Sequence, residues 1–220
     1  MNQQEQQRQY ERVRGIFDEW ARAGRAEGME QGHGPAAREG FAFLEPGPGQ
    51  RYLDIGCGNG YTVRWAAEAG AQAFGIDLSR EMIARAKKLS AGIPKTEFQV
   101  CAFPDHPFEP GSMDRIFSME TFYYFPNLDE ALQAAFDLLR PTGRMAVIVD
   151  YYGENQDSHS WPEHLGCAFD LRSEAEWEDS FHRAGFAKVQ RRHFLYPPDP
   201  SKERWKSELG SLLILGEKKA

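Results

Sequence analysis

A glycine-rich turn between a short apolar run and an amphipathic segment constrains the fold of this chain more than any other feature. The run and the turn read Tyr52-Leu53-Asp54-Ile55-Gly56-Cys57-Gly58-Asn59-Gly60. Glycine has no Cβ, so such a turn can adopt backbone angles that other residues avoid and can let a ligand approach the main chain. Residues 61–69 continue with helical apolar spacing and end at Gly70. The pattern therefore predicts a buried strand, a turn and a helix whose N-terminus offers unpaired N–H groups to an anionic group.

A second acidic residue follows the next predicted strand. The apolar run Ala73-Phe74-Gly75-Ile76 ends at Asp77. At this place in a strand–turn–helix unit, an acidic side chain can accept hydrogen bonds from two ribose hydroxyls. The glycine turn and Asp77 together predict a cofactor that contains a nucleoside.

Three segments of the chain resemble motifs of the class I S-adenosylmethionine-dependent methyltransferases of the methyltransferase domain type 11 kind. Residues 53–60 are similar to motif I, residues 75–79 to motif II, and residues 138–144 to the turn before the fifth strand. The resemblance covers about residues 35–149 and, more loosely, the chain beyond them. It implies an α/β fold with a Rossmann-like, doubly wound, seven-stranded sheet in the order 3-2-1-4-5-7-6. The last-placed strand is then antiparallel, with helices on both faces and an N-terminal lid helix.

The spacing of apolar residues predicts alternating strands and helices, which favour a parallel sheet. Strands are expected near 51–55, 72–76, 96–100, 113–118 and 143–149, with helices near 60–69, 79–90 and 127–139. Before them we expect a helix over 3–23, a loop over 25–34 and a helix from Pro35 to Leu44. After them we expect a long irregular segment over 150–171, a helix capped by Ser173, and strands over 186–195 and 209–216. We therefore expect one domain over 1–220, with a lid helix and loop in 1–34, a cofactor-binding core in 35–149 and an acceptor side in 150–220.

The resemblance also implies which residues contact S-adenosylmethionine. They are Asp54, Gly56, Cys57, Gly58, Asp77, Leu78, Met82, Ala102, Phe103 and Met119. Asp54 would support the turn near the methionine amino group, although it could simply cap the following backbone. Met82 could equally be core. Ala102 stands where many relatives have an Asp that binds the adenine amino group, so Asp105 is an alternative acceptor.

The end of the fourth strand is expected to lie beside the methyl acceptor. Glu120 is the first candidate for a base or an acceptor contact, with a structural carboxylate as the alternative. Tyr124 stands where many relatives carry a His, and its hydroxyl is a poor base and a better orienting donor. The acceptor side is rich in aromatic and acidic residues, which suit an amine or an aromatic hydroxyl. These residues are Tyr123, Tyr124, Tyr151, Tyr152, Trp161, Glu120, Asp150, Glu154 and Glu163.

Composition narrows the function classes further. The 220 residues carry a net charge of −7, which disfavours nucleic acid as a partner. The N-terminal 14 residues are polar, unlike a secretory signal, and no apolar run approaches the roughly 18 residues of a membrane helix. Three widely spaced cysteines match no metal site and suit a reducing cytoplasm.

The sequence therefore predicts a cytoplasmic, metal-free methyltransferase for a small molecule, acting as a monomer or homodimer. A non-catalytic S-adenosylmethionine-binding protein is one alternative. A nicotinamide-dependent oxidoreductase is another, although its Gly-x-Gly-x-x-Gly fingerprint differs from the spacing of Gly56, Gly58 and Gly60.

Overall fold

A computed structural model describes residues 2–220 as alternating helices and strands around one sheet. The first half contains α1 (Gln3–Arg22), α2 (Ala26–Leu44), β1 (Arg51–Ile55), α3 (Tyr61–Glu68), β2 (Gln72–Asp77), α4 (Arg80–Leu89) and β3 (Thr96–Val100). The second half contains β4 (Met113–Met119), α5 (Leu128–Leu138), β5 (Leu139–Val149), α6 (Trp161–Leu165), α7 (Glu174–Ala184), β6 (Lys188–Phe194), α8 (Trp205–Glu208) and β7 (Ser211–Glu217). None of these helices is long and apolar enough to cross a membrane.

The seven strands form one sheet in the order β3-β2-β1-β4-β5-β7-β6, which confirms the expected topology. Strands β1 to β5 run parallel, whereas β7 is antiparallel to both β5 and β6. The order reverses at β1, so the carboxyl ends of β1 and β4 flank a crevice. Open α/β sheets bind ligands at this switch point.

Alternate residues of the central strands pack into two separate apolar clusters, one on each face of the sheet. On one face Tyr52 and Phe117 pack with residues of α2 and α3. On the other face Leu53 and Ile116 pack with residues of α5 and α7. A sheet covered on both faces explains why its central strands read as continuous apolar runs rather than as an alternating pattern.

Helix α2 corrects the loop that the sequence predicts over 25–34. The helix begins at Ala26 and contains Pro35 in its interior. Glycines at 28, 32 and 34 suggested a loop because glycine lowers helix propensity by about 1 kcal/mol. Tertiary contacts override that preference, since Ala26 is fully buried and its carbonyl accepts a hydrogen bond from the Asn59 amide at 2.6 Å.

Most other expected boundaries agree with the structure to within a few residues. The predicted Ser173 cap is present and forms a capping box, because Ser173 and Glu176 exchange side-chain and backbone hydrogen bonds at the start of α7. Strand β5 begins at Leu139 rather than Gly143, since Leu139 pairs with Met113 ahead of an irregularity in the ladder. Helices α6 and α8 lie in segments that carried no helical pattern.

Candidate active site

A cavity of about 440 Å³ lies at the carboxyl ends of β1, β2, β4 and β5. Its walls come from the turn after β1, the segments after β2, β3, β4 and β5, and residues of α1, α2 and α8. Of the predicted cofactor-binding residues, all but Met82 line it. Both predicted catalytic residues, Glu120 and Tyr124, line it as well.

The glycine turn after β1 requires glycine for steric reasons as well as for its backbone angles. Gly56 has φ +76°, and a Cβ at this position would lie 2.1 Å from the Thr121 hydroxyl oxygen. The N–H groups of Gly56 and Cys57 both donate to the Ile76 carbonyl, at 2.8 and 3.0 Å. These two N–H groups are therefore engaged within the protein.

Asp77 ties the turn to the end of β2. One carboxylate oxygen accepts from the Gly58 N–H at 2.9 Å and the other from the Ser79 N–H at 2.8 Å. Burial raises the pKa of Asp77 to about 6, although both backbone donors oppose the shift. Each carboxylate oxygen has a second lone pair, so the group can still accept from two hydroxyls of a ligand.

Asp54 is a buried carboxylate with one unsatisfied oxygen. Its Oδ2 accepts from the Thr62 hydroxyl, whereas Oδ1 is buried with no hydrogen-bond partner in the described structure. Burial raises the pKa of Asp54 to about 7, and the charge of Asp77 adds to the shift. A buried acceptor without a partner is costly, so a cationic donor entering the cavity would stabilise the ionised carboxylate.

Of the apolar residues predicted to contact the cofactor, Leu78, Ala102 and Phe103 line the cavity, whereas Met82 does not. Met82 is fully buried against α1 residues such as Ala21 and is not among the cavity-lining residues. Asp105, the alternative acceptor, is exposed and also lies outside the cavity wall.

Glu120 follows β4 in an unusual backbone conformation. Its φ of +54° lies in the left-handed region, which non-glycine residues rarely occupy. One carboxylate oxygen accepts from the Tyr123 hydroxyl at 2.7 Å and the other from the Asp150 N–H. Burial, then the charge of Asp150, raises the pKa of Glu120 well above its usual value. Both oxygens are thus already engaged, as expected if Glu120 is a structural carboxylate.

Tyr124 lies in an aromatic cluster beneath α1. Its ring makes edge contacts with Phe17 at 5.5 Å and with Phe169 at 4.6 Å between centroids. Burial raises the pKa of Tyr124, and the charge of Glu120 adds to the shift. The hydroxyl is therefore a still poorer base than an exposed tyrosine.

Helix α1 covers the cavity and is fixed by polar contacts. Tyr10, Phe17 and Trp20 of this helix contribute to the wall. The buried Gln9 amide donates to the Tyr124 and Ala168 carbonyls, at 3.3 and 2.6 Å, and the Tyr10 hydroxyl donates to the Phe103 carbonyl at 2.9 Å. Helix α1 thus forms part of the cavity wall and is held there by these hydrogen bonds.

The acceptor side contains residues that the sequence alone did not identify. Of the nine aromatic and acidic residues proposed there, Tyr123, Tyr124, Trp161, Glu120 and Asp150 line the cavity. His33, Glu203, Trp205 and Lys206 line it too and were missed. His33 follows Met29 by one helical turn, a spacing that would have identified it had α2 been extended towards its true start. The residues of α8 gave no periodic signal.

His159 and His164 are the pair that most invites a metal. His164 lines the cavity, whereas His159 does not. Within residues 2–220 no group of three or more His, Cys, Asp or Glu side chains is placed to hold a metal ion.

Comparisons with known proteins agree on the type of domain. Residues 53–147 match the family model described as a methyltransferase domain. The solved structure of a chain described as a methyltransferase, in complex with the Trm112 methyltransferase activator of Haloferax volcanii, is 30% identical with a TM-score of 0.85. That likeness covers 93% of this chain and 98% of the other.

Two curated proteins methylate at different atoms. The 24-methylenesterol C-methyltransferase 3 of Arabidopsis thaliana is 29% identical over 72% of this chain and 47% of that protein. The ubiquinone biosynthesis O-methyltransferase of Xanthomonas euvesicatoria pv. vesicatoria is 35% identical over 44% of this chain and 41% of that protein. The chain spans less than half the length of these curated relatives.

Proposed function

Because this chain belongs to the class I S-adenosylmethionine-dependent methyltransferases, we propose that it transfers a methyl group from S-adenosylmethionine to a small-molecule acceptor. The observation that carries the proposal is a single cavity in which the glycine turn and Asp77 meet the carboxyl ends of β4 and β5. The cofactor and the acceptor would thus share one enclosed space. Family membership sets aside the nicotinamide alternative.

The unsatisfied Asp54 oxygen supports S-adenosylmethionine as the ligand. A methionine ammonium beside the glycine turn would supply the missing donor to Asp54 Oδ1. Asp77 would accept from the ribose hydroxyls, while the adenine would lie against Leu78, Ala102 and Phe103. Met119 would lie towards the sulfur, and Met82 would support α1 from behind rather than touch the ligand.

The chemistry requires orientation above all. Bound S-adenosylmethionine supplies a methyl group on a positively charged sulfur. An acceptor lone pair would attack the methyl carbon in line with the sulfur–methyl bond, and the sulfur would leave. Holding donor and acceptor in that geometry can lower a barrier by about 7–11 kcal/mol. The lid α1 and the aromatic wall would exclude water and orient the acceptor, with Tyr124 as an orienting donor and Glu120 as a fixed carboxylate. An amine and an aromatic hydroxyl are the two acceptor classes that this wall favours.

The proposal is tested by methyl transfer from S-adenosylmethionine with a labelled methyl group to a panel of small amines and phenols. The expected result is a labelled product and stoichiometric S-adenosylhomocysteine, both lost in the Asp77→Ala variant. Cofactor binding without transfer to any acceptor would instead favour the non-catalytic alternative, which Ala102 supports by lacking an acceptor for adenine. Repeating the assay in the presence of a cell extract would then test for a missing activator protein, because a similar chain forms a complex with one.

We also propose that the protein is cytoplasmic and that its single domain has a cofactor-binding part and an acceptor part. Cys57, Cys101 and Cys167 are buried free thiols, which supports a reducing cytoplasm. Residues 35–149 would bind the cofactor and residues 150–220 would complete the acceptor side, in a monomer or a homodimer.

A further inference from the structure

Three polar residues from distant parts of the chain meet in the acceptor side of the cavity. His33 comes from α2, Asp150 follows β5, and Lys206 comes from α8. None of them is needed to hold S-adenosylmethionine in the proposed function. Their convergence beside the aromatic residues of this wall calls for a chemical role.

Asp150 is held in place by its neighbours. Asp150 is 3% exposed, and its carboxylate accepts from the Ser211 hydroxyl, which itself lies 3.2 Å from the Tyr196 hydroxyl. Its backbone N–H donates to Glu120. Burial raises the pKa of Asp150, while His33, the Ser211 hydroxyl and Lys206 oppose that shift, so a cation beside this buried carboxylate stabilises its ionised form.

His33 is the group in this cluster best suited to accept a proton. Within residues 2–220 no hydrogen bond engages either nitrogen of its ring. Burial lowers the pKa of the His33 imidazole while the charge of Asp150 opposes that shift, so the ring is neutral at neutral pH. A neutral imidazole beside a fixed carboxylate can take a proton, because the carboxylate stabilises the imidazolium that forms.

The other candidates for a base are already occupied. Both Glu120 oxygens accept hydrogen bonds from within the protein, and the Tyr124 hydroxyl ionises only at high pH. Glu120 after β4, Asp150 after β5, His164 of α6, and Glu203 and Lys206 at or just before α8 share the cavity wall with His33. Of these groups, Asp150 and Lys206 act on the His33 imidazole, and their charges shift its pKa in opposite directions.

Lys206 is the only Lys or Arg among the residues of 2–220 that line the cavity. Its ammonium lies 5.4 Å from the Trp205 ring and forms an ion pair with Glu203 at 3.5 Å. The oxygen of a phenol that is losing its proton would be stabilised by this ammonium. The aromatic rings of Trp161 and Trp205, 6.3 Å apart, offer flat apolar surfaces to a planar acceptor.

We propose that His33 is the general base of this site, with the Asp150 carboxylate stabilising the imidazolium that forms, and that the acceptor is an aromatic hydroxyl. This inference rests on the proposed methyl transfer. The acceptor O–H bond breaks and its proton goes to the His33 ring, while an oxygen lone pair forms the new bond to the methyl carbon. The sulfur–methyl bond breaks with its electron pair remaining on sulfur, which leaves neutral S-adenosylhomocysteine. The imidazolium then returns its proton to water.

The test uses 4-nitrophenol, whose ionised form has a visible absorption band that the neutral form lacks. The full chain is loaded with S-adenosylhomocysteine, and 4-nitrophenol is added at a pH below its own pKa. We expect the bound phenol to be ionised in the wild type and in the His182→Asn control, an exposed histidine of α7. In His33→Asn the band should fall to the level of 4-nitrophenol in buffer, with S-adenosylhomocysteine affinity unchanged. Methyl transfer to 4-nitrophenol should fall about 100-fold or more, the usual contribution of a general base.

Three outcomes would overturn the inference while leaving the proposed function intact. One is a phenol band that His33→Asn leaves unchanged, and another is bound 4-nitrophenol that stays neutral in the wild type. The third is binding of benzylamine, but not of 4-nitrophenol, to the loaded protein. Failure to bind S-adenosylhomocysteine at all would contradict the proposed function itself. An Asp150→Asn variant gives a second check, because the ionised fraction should fall there too, although the His33 ring is retained.

Discussion

The Asp77 carboxylate accepts a hydrogen bond from the Gly58 backbone N–H at 2.9 Å, and this contact fixes the glycine turn after β1 to the end of β2. One side chain thereby shapes the turn and presents its remaining lone pairs to the cavity. The carboxylate would thus be both a structural tie and a ribose ligand.

Replacing Asp77 with Ala should weaken S-adenosylhomocysteine binding at least tenfold. Loss of hydrogen bonds to a charged group removes about 1.5–3 kcal/mol, and the Gly58 N–H also loses its partner. Calorimetric titration measures the change, with Glu97→Ala on the exposed edge strand β3 as the control carboxylate. Equal S-adenosylhomocysteine affinity in the wild type and in Asp77→Ala would show that Asp77 does not bind the ribose.

Gly56→Ala should collapse the turn. A methyl group at this position would approach the Thr121 side chain to 2.1 Å, and the φ of +76° strains any other residue by about 1–3 kcal/mol. We expect a lower melting temperature and no cofactor binding. Gly47→Ala is the matched control, because its added Cβ meets no atom within 4 Å. A Gly56→Ala variant as stable as Gly47→Ala would contradict the packing described for this turn.

Asp54 should make the unliganded protein less stable as the pH rises. Its pKa is raised from 3.8 to about 7, so between these values the native state binds more protons than the unfolded state. Stability that is present below about pH 4 is therefore lost progressively up to about pH 7. At pH above this range, Asp54→Asn should be more stable than the wild type and yet bind S-adenosylhomocysteine more weakly.

Thermal melts across this pH range, with and without S-adenosylhomocysteine, measure both effects of Asp54→Asn. The exposed carboxylate of Asp137 provides the control variant, Asp137→Asn. If the stability of Asp54→Asn depended on pH as that of the wild type does, ionising the buried Asp54 carboxylate would not lower the stability of the protein. Its unsatisfied oxygen would then offer no reason to bind an ammonium.

Gln9→Leu should loosen the lid. The Gln9 amide is 6% exposed and satisfies the Tyr124 and Ala168 carbonyls, and leaving buried polar groups without partners costs about 1–3 kcal/mol. Amide hydrogen exchange over residues 3–22 should become faster. Gln7→Leu, on the exposed side of the same helix, should leave exchange unchanged. Equal protection of α1 in the two variants would show that apolar packing alone holds the lid.

The sequence predicts the cofactor half of the site well because that half depends on local patterns. A buried strand followed by a glycine turn specifies where Asp54, Gly56 and Gly58 must lie, and the next strand end specifies Asp77. Each of these positions follows from short-range periodicity and from the conformations that glycine alone adopts readily.

The acceptor half is much less predictable because long-range contacts determine it. His33 lies on a helical turn rich in glycine, which forms because Ala26 packs against the core rather than because of its own propensity. Lys206 reaches the cavity from a four-residue helix, which is too short to leave a periodic pattern. Asp150 was expected on this side, yet its partnership with Ser211 joins residues 61 positions apart.

Calorimetric titration of the wild-type chain with S-adenosylhomocysteine, with NADH as the control ligand, tests the central claim most directly. We predict micromolar binding of S-adenosylhomocysteine at a single site and no heat of binding from NADH. Absence of S-adenosylhomocysteine binding, or binding of NADH in its place, would contradict the assignment of the cavity beside Asp54 and Asp77 to S-adenosylmethionine.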